Sequence, residues 1–329
     1  MQVIQMATAC WMSRLVFVAA QLGLADHLAS GPQTADAVAV TTKSHAPSLY
    51  RVMRTLASLG LMTEDDHHRF ALTPLGETLK TGAPGSARAT VLTLAGDLIW
   101  QAYAELPYSV QTGKSGLKKA MGVSLFDWLS TRPADAAMFS ETMVGFHNME
   151  PPAVAESYDF SGIKTLMDVG GATGNMLSAV LARYPHVRGI LFDLPHVIRD
   201  APAFIGARGL TDRIEIKSGS FFDAVPEGAD AYLMSHIIHD WSEELCLKIL
   251  GNCKKAMGPN GKLLLVEMVL PPGDTPHPGK MLDIMMMVGP EGQERTADEY
   301  RTLLDKAGFR MTRVVPTASA VSVVEAVPA

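Results

Sequence analysis

Cysteine is scarce in this sequence, with three residues among 329. Cys10, Cys246 and Cys253 form no C-x-x-C motif, which excludes the redox and metal sites built on that spacing. Cys246 and Cys253 fall on one face of a predicted helix. We predict that the three cysteines are reduced core residues of a cytoplasmic protein.

Basic residues are also fewer than acidic residues: the 28 Lys and Arg and the 34 Asp and Glu give a net charge of -6. Such a chain does not attract a polyanion or an acidic membrane surface, so nucleic acid is not expected as a partner. The longest run without Asp, Glu, Lys or Arg, Val169 to Ala182, is too short to span a bilayer. The apolar N-terminus has its first positive charge at Arg14 and lacks the basic start of a secretory signal. We therefore predict a cytoplasmic protein with no membrane partner.

The sequence has enough apolar residues, 47%, to build about two domains at this length. Residues 1–90 predict helices and one hairpin, with a helix over Pro47 to Leu59 and strands at Leu61 to Thr63 and Arg69 to Leu72. This order is typical of a winged helix. A DNA-binding regulator is one alternative, but the acidic turn Glu64 to Asp66 repels phosphate, so a dimer-forming or structural role is favoured.

Residues 91–155 predict further helices rich in aromatic residues and methionine, among them Met143 and Phe146, and most of these side chains are expected in the core. From residue 156 onward strands alternate with helices, which predicts a mostly parallel sheet covered on both faces. Five β-rich runs come first and a closing hairpin follows. They are Thr165 to Val169, Val187 to Phe192, Arg213 to Lys217, Ala231 to Ser235, Lys262 to Glu267, Met311 to Val315 and Val321 to Ala326.

Residues just after the strands of such a sheet are the candidates for ligand binding. The first strand leads into Gly170-Gly171-Ala172-Thr173-Gly174, whose spacing differs from the G-x-G-x-x-G of dinucleotide sites. Asp193 follows the second strand at the place of an acid that binds ribose hydroxyls. Ser220 and Phe221, after the third strand, could meet the edge and face of an adenine. Together these residues predict a nucleoside site.

His239 follows the fourth strand and could take up a proton near neutral pH. Glu267 ends the fifth strand, and Glu294 lies further along; either carboxylate could hold the other imidazole N–H and fix its tautomer. Asp240 with Glu243 fits a capping box, so we expect Asp240 to be the N-cap of the next helix. A metal pair of His236 and His239 is not expected, because three-residue spacing on a strand points the side chains to opposite faces.

In this order the motifs resemble the plant-type and bacterial natural-product O-methyltransferases, such as those acting on caffeate and hydroxyindoles. The most specific marks are Asp159 to Gly162, Leu166 to Gly174, Phe192 to Ile198, His239-Asp240-Trp241 and Glu294-Arg295-Thr296. The resemblance covers nearly the whole chain. It implies a Rossmann-like class I methyltransferase domain with a mostly parallel seven-stranded sheet (156–329), a winged-helix-like dimerisation domain (1–90) and a helical linker contributing to the acceptor pocket (91–155).

The resemblance also implies an S-adenosylmethionine-dependent enzyme of secondary metabolite biosynthesis, a homodimer that methylates a hydroxyl of a small, aromatic acceptor. Its implied site residues fall into three groups. They are the base His239 flanked by Glu267 and Glu294; the cofactor contacts Gly170, Asp193, Ser220, Phe221, Ser235 and Trp241; and the acceptor contacts Met143, Phe146, Met286 and Met287.

Two positions depart from the family pattern. Ser220 replaces an acid that usually follows the glycine before the adenine pocket, and Ser235 replaces a lysine of the plant members. The Ser220 departure keeps a second alternative open, in which bound S-adenosylmethionine supports decarboxylation, hydroxylation or cyclisation instead of methyl transfer.

Overall fold

A computed structural model describes all 329 residues of the chain. It contains two compact units, Met1–Tyr103 with Phe126–Phe146 and Ala104–Leu125 with His147–Ala329. Residues 91–155, predicted as one linking segment, are therefore divided between the units.

The first 157 residues are mostly helical, with three short strands. The helices are α1 (Gln2–Gln21), α2 (Leu24–Leu28), α3 (Ala35–Thr42), α4 (Ala46–Ser58), α5 (Pro74–Glu77), α6 (Arg88–Leu94), α7 (Asp97–Ala104), α8 (Leu106–Thr112), α9 (Gly116–Met121), α10 (Leu125–Ser130), α11 (Pro133–Phe146) and α12 (Glu150–Ser157). The strands β1 (Gln33–Thr34), β2 (Met62–Glu64) and β3 (Arg69–Leu72) form an antiparallel sheet in the order β1-β3-β2.

Helix α4 and the β2–β3 hairpin give the N-terminal region its winged-helix-like layout. Pro47 stands in the first turn of α4, where its missing N–H costs nothing. Leu49, Met53 and Leu56 are buried at helical spacing, and Gly60 with φ of 82° follows the helix end. The helix predicted over residues 47–59 thus lies one residue from its observed bounds.

The second unit is built on a seven-stranded sheet. Its remaining strands are β4 (Thr165–Val169), β5 (Arg188–Asp193), β6 (Ile214–Ser218), β7 (Ala231–Ser235), β8 (Lys262–Glu267), β9 (Val269–Leu270), β10 (Arg295–Thr296), β11 (Phe309–Pro316) and β12 (Ser322–Pro328). The sheet order is β11-β12-β8-β7-β4-β5-β6, and only β12 runs antiparallel to its neighbours β8 and β11. The predicted mostly parallel seven-stranded sheet is confirmed.

Helices cover both faces of this sheet. They are α13 (Asn175–Arg183), α14 (Ala201–Gly206), α15 (Glu243–Ala256), α16 (Pro278–Val288) and α17 (Ala297–Lys306). Leu166 and Met167, neighbours on β4, are buried in different apolar clusters, one containing Leu177 of α13 and the other Ile249 of α15. Strands buried on both faces produce the continuous apolar runs of the sequence.

The strand order places one edge of the sheet in a position to bind ligands. β4 lies between β5 and β7, so the chain winds in opposite directions from β4. In open sheets of this kind ligands bind at the carboxyl ends of the strands beside such a switch point. The loops after β4, β5, β7 and β8 are therefore the ones that can build a site.

Two features of the N-terminus differ from simple expectation. Cys10 is exposed on α1, whereas Cys246 and Cys253 are buried as predicted, so the core assignment is wrong for Cys10.

Helix α1 also meets the length and composition of a membrane span, with mean hydropathy 1.5 and 17% of the apolar window buried. This helix is not among the long runs without charged residues, because Arg14 interrupts its apolar sequence.

Candidate functional site

The turn after β4 brings bare backbone to the binding edge. Gly170 and Gly174 have φ of 76° and 85°, and Ala172 between them has φ of 49°. A Cβ at Gly170 would lie 2.4 Å from Cδ1 of Ile237, so Ile237 would have to move, and the positive φ would strain any larger residue. The glycines therefore form a cradle in which a ligand can approach the main chain closely.

Asp193 links this cradle to the end of β5. Its Oδ2 accepts the N–H of Ala172 at 2.9 Å and its Oδ1 accepts the N–H of Leu194 at 2.6 Å. Burial raises the pKa of Asp193, and burial together with the neighbouring Asp193 charge raises the pKa of Asp168 to about 7. Two desolvated acids behind a glycine turn suit a ligand that brings hydroxyl or ammonium donors. These residues fit the ribose and amino-acid ends of S-adenosylmethionine.

An aromatic cluster follows β6. The rings of Phe222 and Trp241 meet edge to face at 4.8 Å, and Phe221 lies 6.1 Å from Trp241. Asn252 of α15 donates to the carbonyls of Phe221 and Phe222 at 2.9 and 3.1 Å and so fixes this loop. Sequence reasoning found Phe221 and Trp241 but missed Phe222 and Asn252, since an asparagine inside a helix carries no local signal of such a contact.

Two other predicted cofactor contacts lie on the same edge. Ser220 follows β6, half-buried, and its hydroxyl accepts the N–H of Phe222 at 3.2 Å. Ser235 is the last residue of β7 and is also half-buried. Ser235 ends β7, which lies beside the switch point, whereas Ser220 lies beyond the end of β6, the neighbour of β5.

His239 lies at this edge as a buried imidazole between carboxylates. Its Nδ1 is 2.6 Å from Oε1 of Glu294 and 3.7 Å from Oε2 of Glu267, and its Nε2 is 3.5 Å from Oδ1 of Asp240. Both glutamates are fully buried. The structure thus brings together the three residues that the sequence singled out separately. With Nδ1–H donated to Glu294, the lone pair stands on Nε2.

The loop carrying Glu294 is fastened to the turn carrying His239. The N–H of Gln293 donates to the carbonyl of His239 at 2.8 Å, and the N–H of Ile238 donates to Oε1 of Glu267 at 2.9 Å. The buried guanidinium of Arg295 donates to the carbonyls of Ile238 and Gln293 at 3.3 and 3.0 Å. Sequence reasoning missed Arg295 as a clamp, although it directly follows Glu294.

Electrostatics make His239 a stronger base than free imidazole. Burial alone disfavours the imidazolium, but the charges of Glu267, Asp240 and Glu294, when all three are ionised, outweigh it and raise the pKa of His239 to about 10. Burial raises the pKa of Glu267 to about 8 and of Asp240 to about 6. The carboxyl groups of this cluster do not all ionise together, because they share one buried space.

The expected helix cap at Asp240 is wrong. Helix α15 begins at Glu243 with Ser242 at the N-cap position, and no side chain caps it. Asp240 instead ends a 3-10 turn over Ile238–Asp240. This turn keeps the Asp240 carboxylate beside the imidazole of His239, where a helix N-cap would have turned it away.

The expectation that His236 and His239 point to opposite faces is also wrong. Strand β7 ends at Ser235, and His236 has a left-handed φ of 54°, which brings its ring centroid to 5.0 Å from that of His239. Nε2 of His236 is 2.7 Å from Oε2 of Glu150, and Nδ1 of His147 is 3.1 Å from Oε1 of the same carboxylate. Glu150 thus links the rings of His147 and His236.

Comparison with known proteins agrees with this geometry. The family model described as an O-methyltransferase domain matches residues 103–310, and the O-methyltransferase dimerisation domain matches residues 4–82. The chain is 42% identical to the phenazine O-methyltransferase PhzM of Lysobacter antibioticus, over 99% of this chain and 95% of the relative. The chain belongs to the O-methyltransferase family. As in the rest of that family, its cofactor is S-adenosylmethionine.

Two further relatives of this O-methyltransferase show the range of the family. A crystal structure of the O-methyltransferase NcsB1 from neocarzinostatin biosynthesis, in complex with S-adenosylmethionine and 2-hydroxy-5-methyl naphthoic acid, superposes with a TM-score of 0.86 at 31% identity, covering 97% of this chain and 96% of the other. The 8-amino-8-demethylriboflavin N,N-dimethyltransferase of Streptomyces davaonensis is 33% identical, over 94% of this chain and 90% of the relative.

The predicted acceptor residues of the O-methyltransferase lie in both units. Met143 and Phe146 are on α11 of the first unit, where Met143 is half-buried and Phe146 is 45% exposed. Met286 and Met287 are on α16 of the second unit, buried and half-buried. Their contact with an acceptor stays a prediction.

Proposed function

We propose that this enzyme transfers a methyl group from S-adenosylmethionine to a hydroxyl of a small aromatic natural-product intermediate, with His239 as the general base. The observation that carries the proposal is the buried pair of His239 and Glu294, with Nδ1 and Oε1 2.6 Å apart, at the sheet edge that also holds the glycine cradle. The phenazine and naphthoic acid named for the two relatives support an aromatic acceptor.

The raised pKa of His239 suits a phenolic hydroxyl. A phenol has a pKa of about 10, so proton transfer to ordinary imidazole, with a pKa of about 6.5, is uphill by roughly 5 kcal/mol. An imidazole whose pKa is raised to about 10 removes most of that difference. The acceptor O–H bond would then break as the new O–C bond forms; its proton would pass to Nε2 of His239, and the electron pair of the broken S–methyl bond would stay on the sulfur.

The remaining residues of the site bind and orient. When bound, the cofactor supplies an electrophilic methyl group on a sulfonium. Asp193 and the glycine cradle would hold its ribose, and the ring of Phe221 would lie against its adenine. Glu294 fixes the tautomer of His239 and stabilises the imidazolium that forms.

The test of the base is His239→Ala. Cofactor affinity, measured by calorimetry, should stay within about threefold because His239 takes no part in the glycine cradle, while turnover of a phenolic acceptor should fall at least about a hundredfold. Methyl transfer is followed with labelled cofactor, so that methylated product is distinguished from a product of decarboxylation, hydroxylation or cyclisation. Turnover by the variant at the parent rate would reject His239 as the base.

We further propose that the enzyme is a cytoplasmic homodimer. The matched dimerisation domain includes α1, on which Val3, Ile4, Met6 and Trp11 are 76%, 63%, 67% and 70% exposed. An apolar helix face of this kind marks a surface that another protein covers. A second copy of the chain is the occupant that the domain match favours.

A further inference from the structure

Two glutamates flank the base, and the structure distinguishes them. Glu294 places Oε1 2.6 Å from Nδ1 of His239, within hydrogen-bond distance. Glu267 places Oε2 3.7 Å from the same nitrogen, beyond that distance, while its Oε1 accepts the N–H of Ile238. Oε2 of Glu267 is buried and has no hydrogen-bond partner. Glu294 thus hydrogen-bonds the imidazole of His239, whereas Glu267 has one oxygen, Oε2, without a hydrogen-bond partner.

His236 has a complementary unfilled position. Its Nε2 is 2.7 Å from Oε2 of Glu150, a carboxylate that also bonds His147. Burial alone would raise the pKa of Glu150, but these hydrogen bonds lower it to about 2, so Glu150 is ionised and must accept the Nε2 proton of His236. Nδ1 of His236 is then a lone pair, and it is buried without a partner.

The unpaired Nδ1 and the unpaired Oε2 belong to neighbouring side chains, those of His236 and Glu267. A ring nitrogen of His236, a ring nitrogen of His239 and a carboxylate oxygen of Glu267 all lie within 4.8 Å of one another. A separation of this size closes by a small side-chain rotation or through one bridging water. A carboxylate would face the lone pair of His236 with another lone pair, whereas a carboxylic acid would bring the missing proton.

Building on the function proposed above, we propose that Glu267 is a neutral carboxylic acid. Its O–H is donated to Nδ1 of His236, directly or through one water. Glu294 is then the ionised glutamate beside the base, and the charges of Glu294 and Asp240, without that of Glu267, hold the pKa of His239 above its ordinary value. Glu150 and His236 act as positioning residues, because they keep an acceptor in place for the Glu267 proton.

The surrounding charges agree with a neutral Glu267. His239 and Asp240 face it from the 3-10 turn, Glu294 from its loop, Cys246 from α15 and Tyr300 from α17. Burial and the charges of Glu294 and Asp240 raise the pKa of Glu267, and the imidazolium of His239 opposes them only in part. Burial and the ring of His147 lower the pKa of His236 to about 3, so His236 is neutral and available as an acceptor.

Glutamine substitutions separate the two glutamates. Glu267→Gln keeps an oxygen for Ile238 and replaces O–H by N–H, so its kcat should fall modestly. Glu294→Gln leaves the imidazolium without its counter-charge, so its kcat should fall about a hundredfold further than that of Glu267→Gln. Matching losses in the two variants, at equal thermal stability, would overturn the assignment.

Infrared spectroscopy detects the carboxyl proton of Glu267 without a turnover assay. In protein carrying carbon-13 in its glutamate carboxyl groups, the wild type should show the carbonyl stretch of one protonated glutamic acid at neutral pH. The band should disappear in Glu267→Gln and persist in Glu294→Gln. His236→Leu should shift it, and His236→Asn, which keeps a polar atom near the position of Nδ1, should restore it in part.

These two readouts also separate the proposal from the function on which it depends. If no acceptor is methylated but the labelled band is present, the proposed function fails and the neutral acid stands. If no protonated glutamate band is seen in the wild type at neutral pH, the neutral acid is refuted whatever the turnover. The absence of the band from the wild type refutes the neutral acid even if a variant does not fold.

Discussion

The raised pKa of His239 predicts the pH dependence of the enzyme. A general base works in its unprotonated form, and a pKa raised from 6.5 toward 10 leaves that form scarce at neutral pH. kcat/KM for a phenolic acceptor should therefore rise by up to about tenfold per pH unit above pH 7 and level off well above 6.5. The measurement is a pH profile of kcat/KM. A curve already flat between pH 7 and 9 would contradict the raised pKa.

Single residues show what sequence reasoning could reach. Gly170 follows β4, Asp193 ends β5 and His239 lies shortly beyond the end of β7, where the parallel sheet itself predicts ligand contacts. Glu150 is bonded to His236 across 86 positions of sequence, and no local pattern signals such a pair. The left-handed φ of His236 is equally invisible, because glycine, not histidine, is the residue that normally marks this conformation.

Among the elements, the loop between α16 and β10 sets the position of the base. A Cβ at Gly292 would lie 1.8 Å from the carbonyl oxygen of His239, so any side chain there must push the loop and the 3-10 turn apart. Gly292→Ala should therefore lower kcat/KM, by about a hundredfold if the imidazole moves by 1 Å.

The matched control for this loop is Gly251→Ala on α15, where a Cβ meets nothing within 4 Å. Alanine is the better helix former, so this variant should raise the free energy of unfolding by roughly 0.5–1 kcal/mol and leave kcat/KM as it was. Steady-state kinetics and thermal unfolding of both variants make the comparison. Full activity in Gly292→Ala would show that the loop does not place the base.

The strands β4, β5, β7 and β8 were predicted to within about one residue because they are buried on both faces and have continuous apolar sequences. The 3-10 turn at Ile238–Asp240 was not predicted, since Asp240 and Glu243 also satisfy a capping box. The local sequence is compatible both with a helix N-cap at Asp240 and with a 3-10 turn. The tertiary hydrogen bonds from Ile238 to Glu267 and from Gln293 to His239 favour the turn.

At the scale of the whole molecule, the exposed face of α1 predicts the oligomeric state. The wild type should sediment at twice the chain mass of 35.3 kDa. Trp11→Glu, which places a charge on that face, should sediment as a monomer or associate more weakly. Val110→Glu is the control, because Val110 is 68% exposed and lies outside the matched dimerisation domain. A wild-type monomer would refute the homodimer.

The interleaving of the two compact units constrains how this enzyme can be recombined with its relatives. The chain passes between the units after Tyr103, Leu125 and Phe146. In a hybrid made with one crossover near the middle of the chain, at least one of the two units would contain residues from both parents. Exchanging the second unit intact requires three junctions, so a hybrid that keeps this unit whole takes residues 104–125 and 147–329 from the same parent.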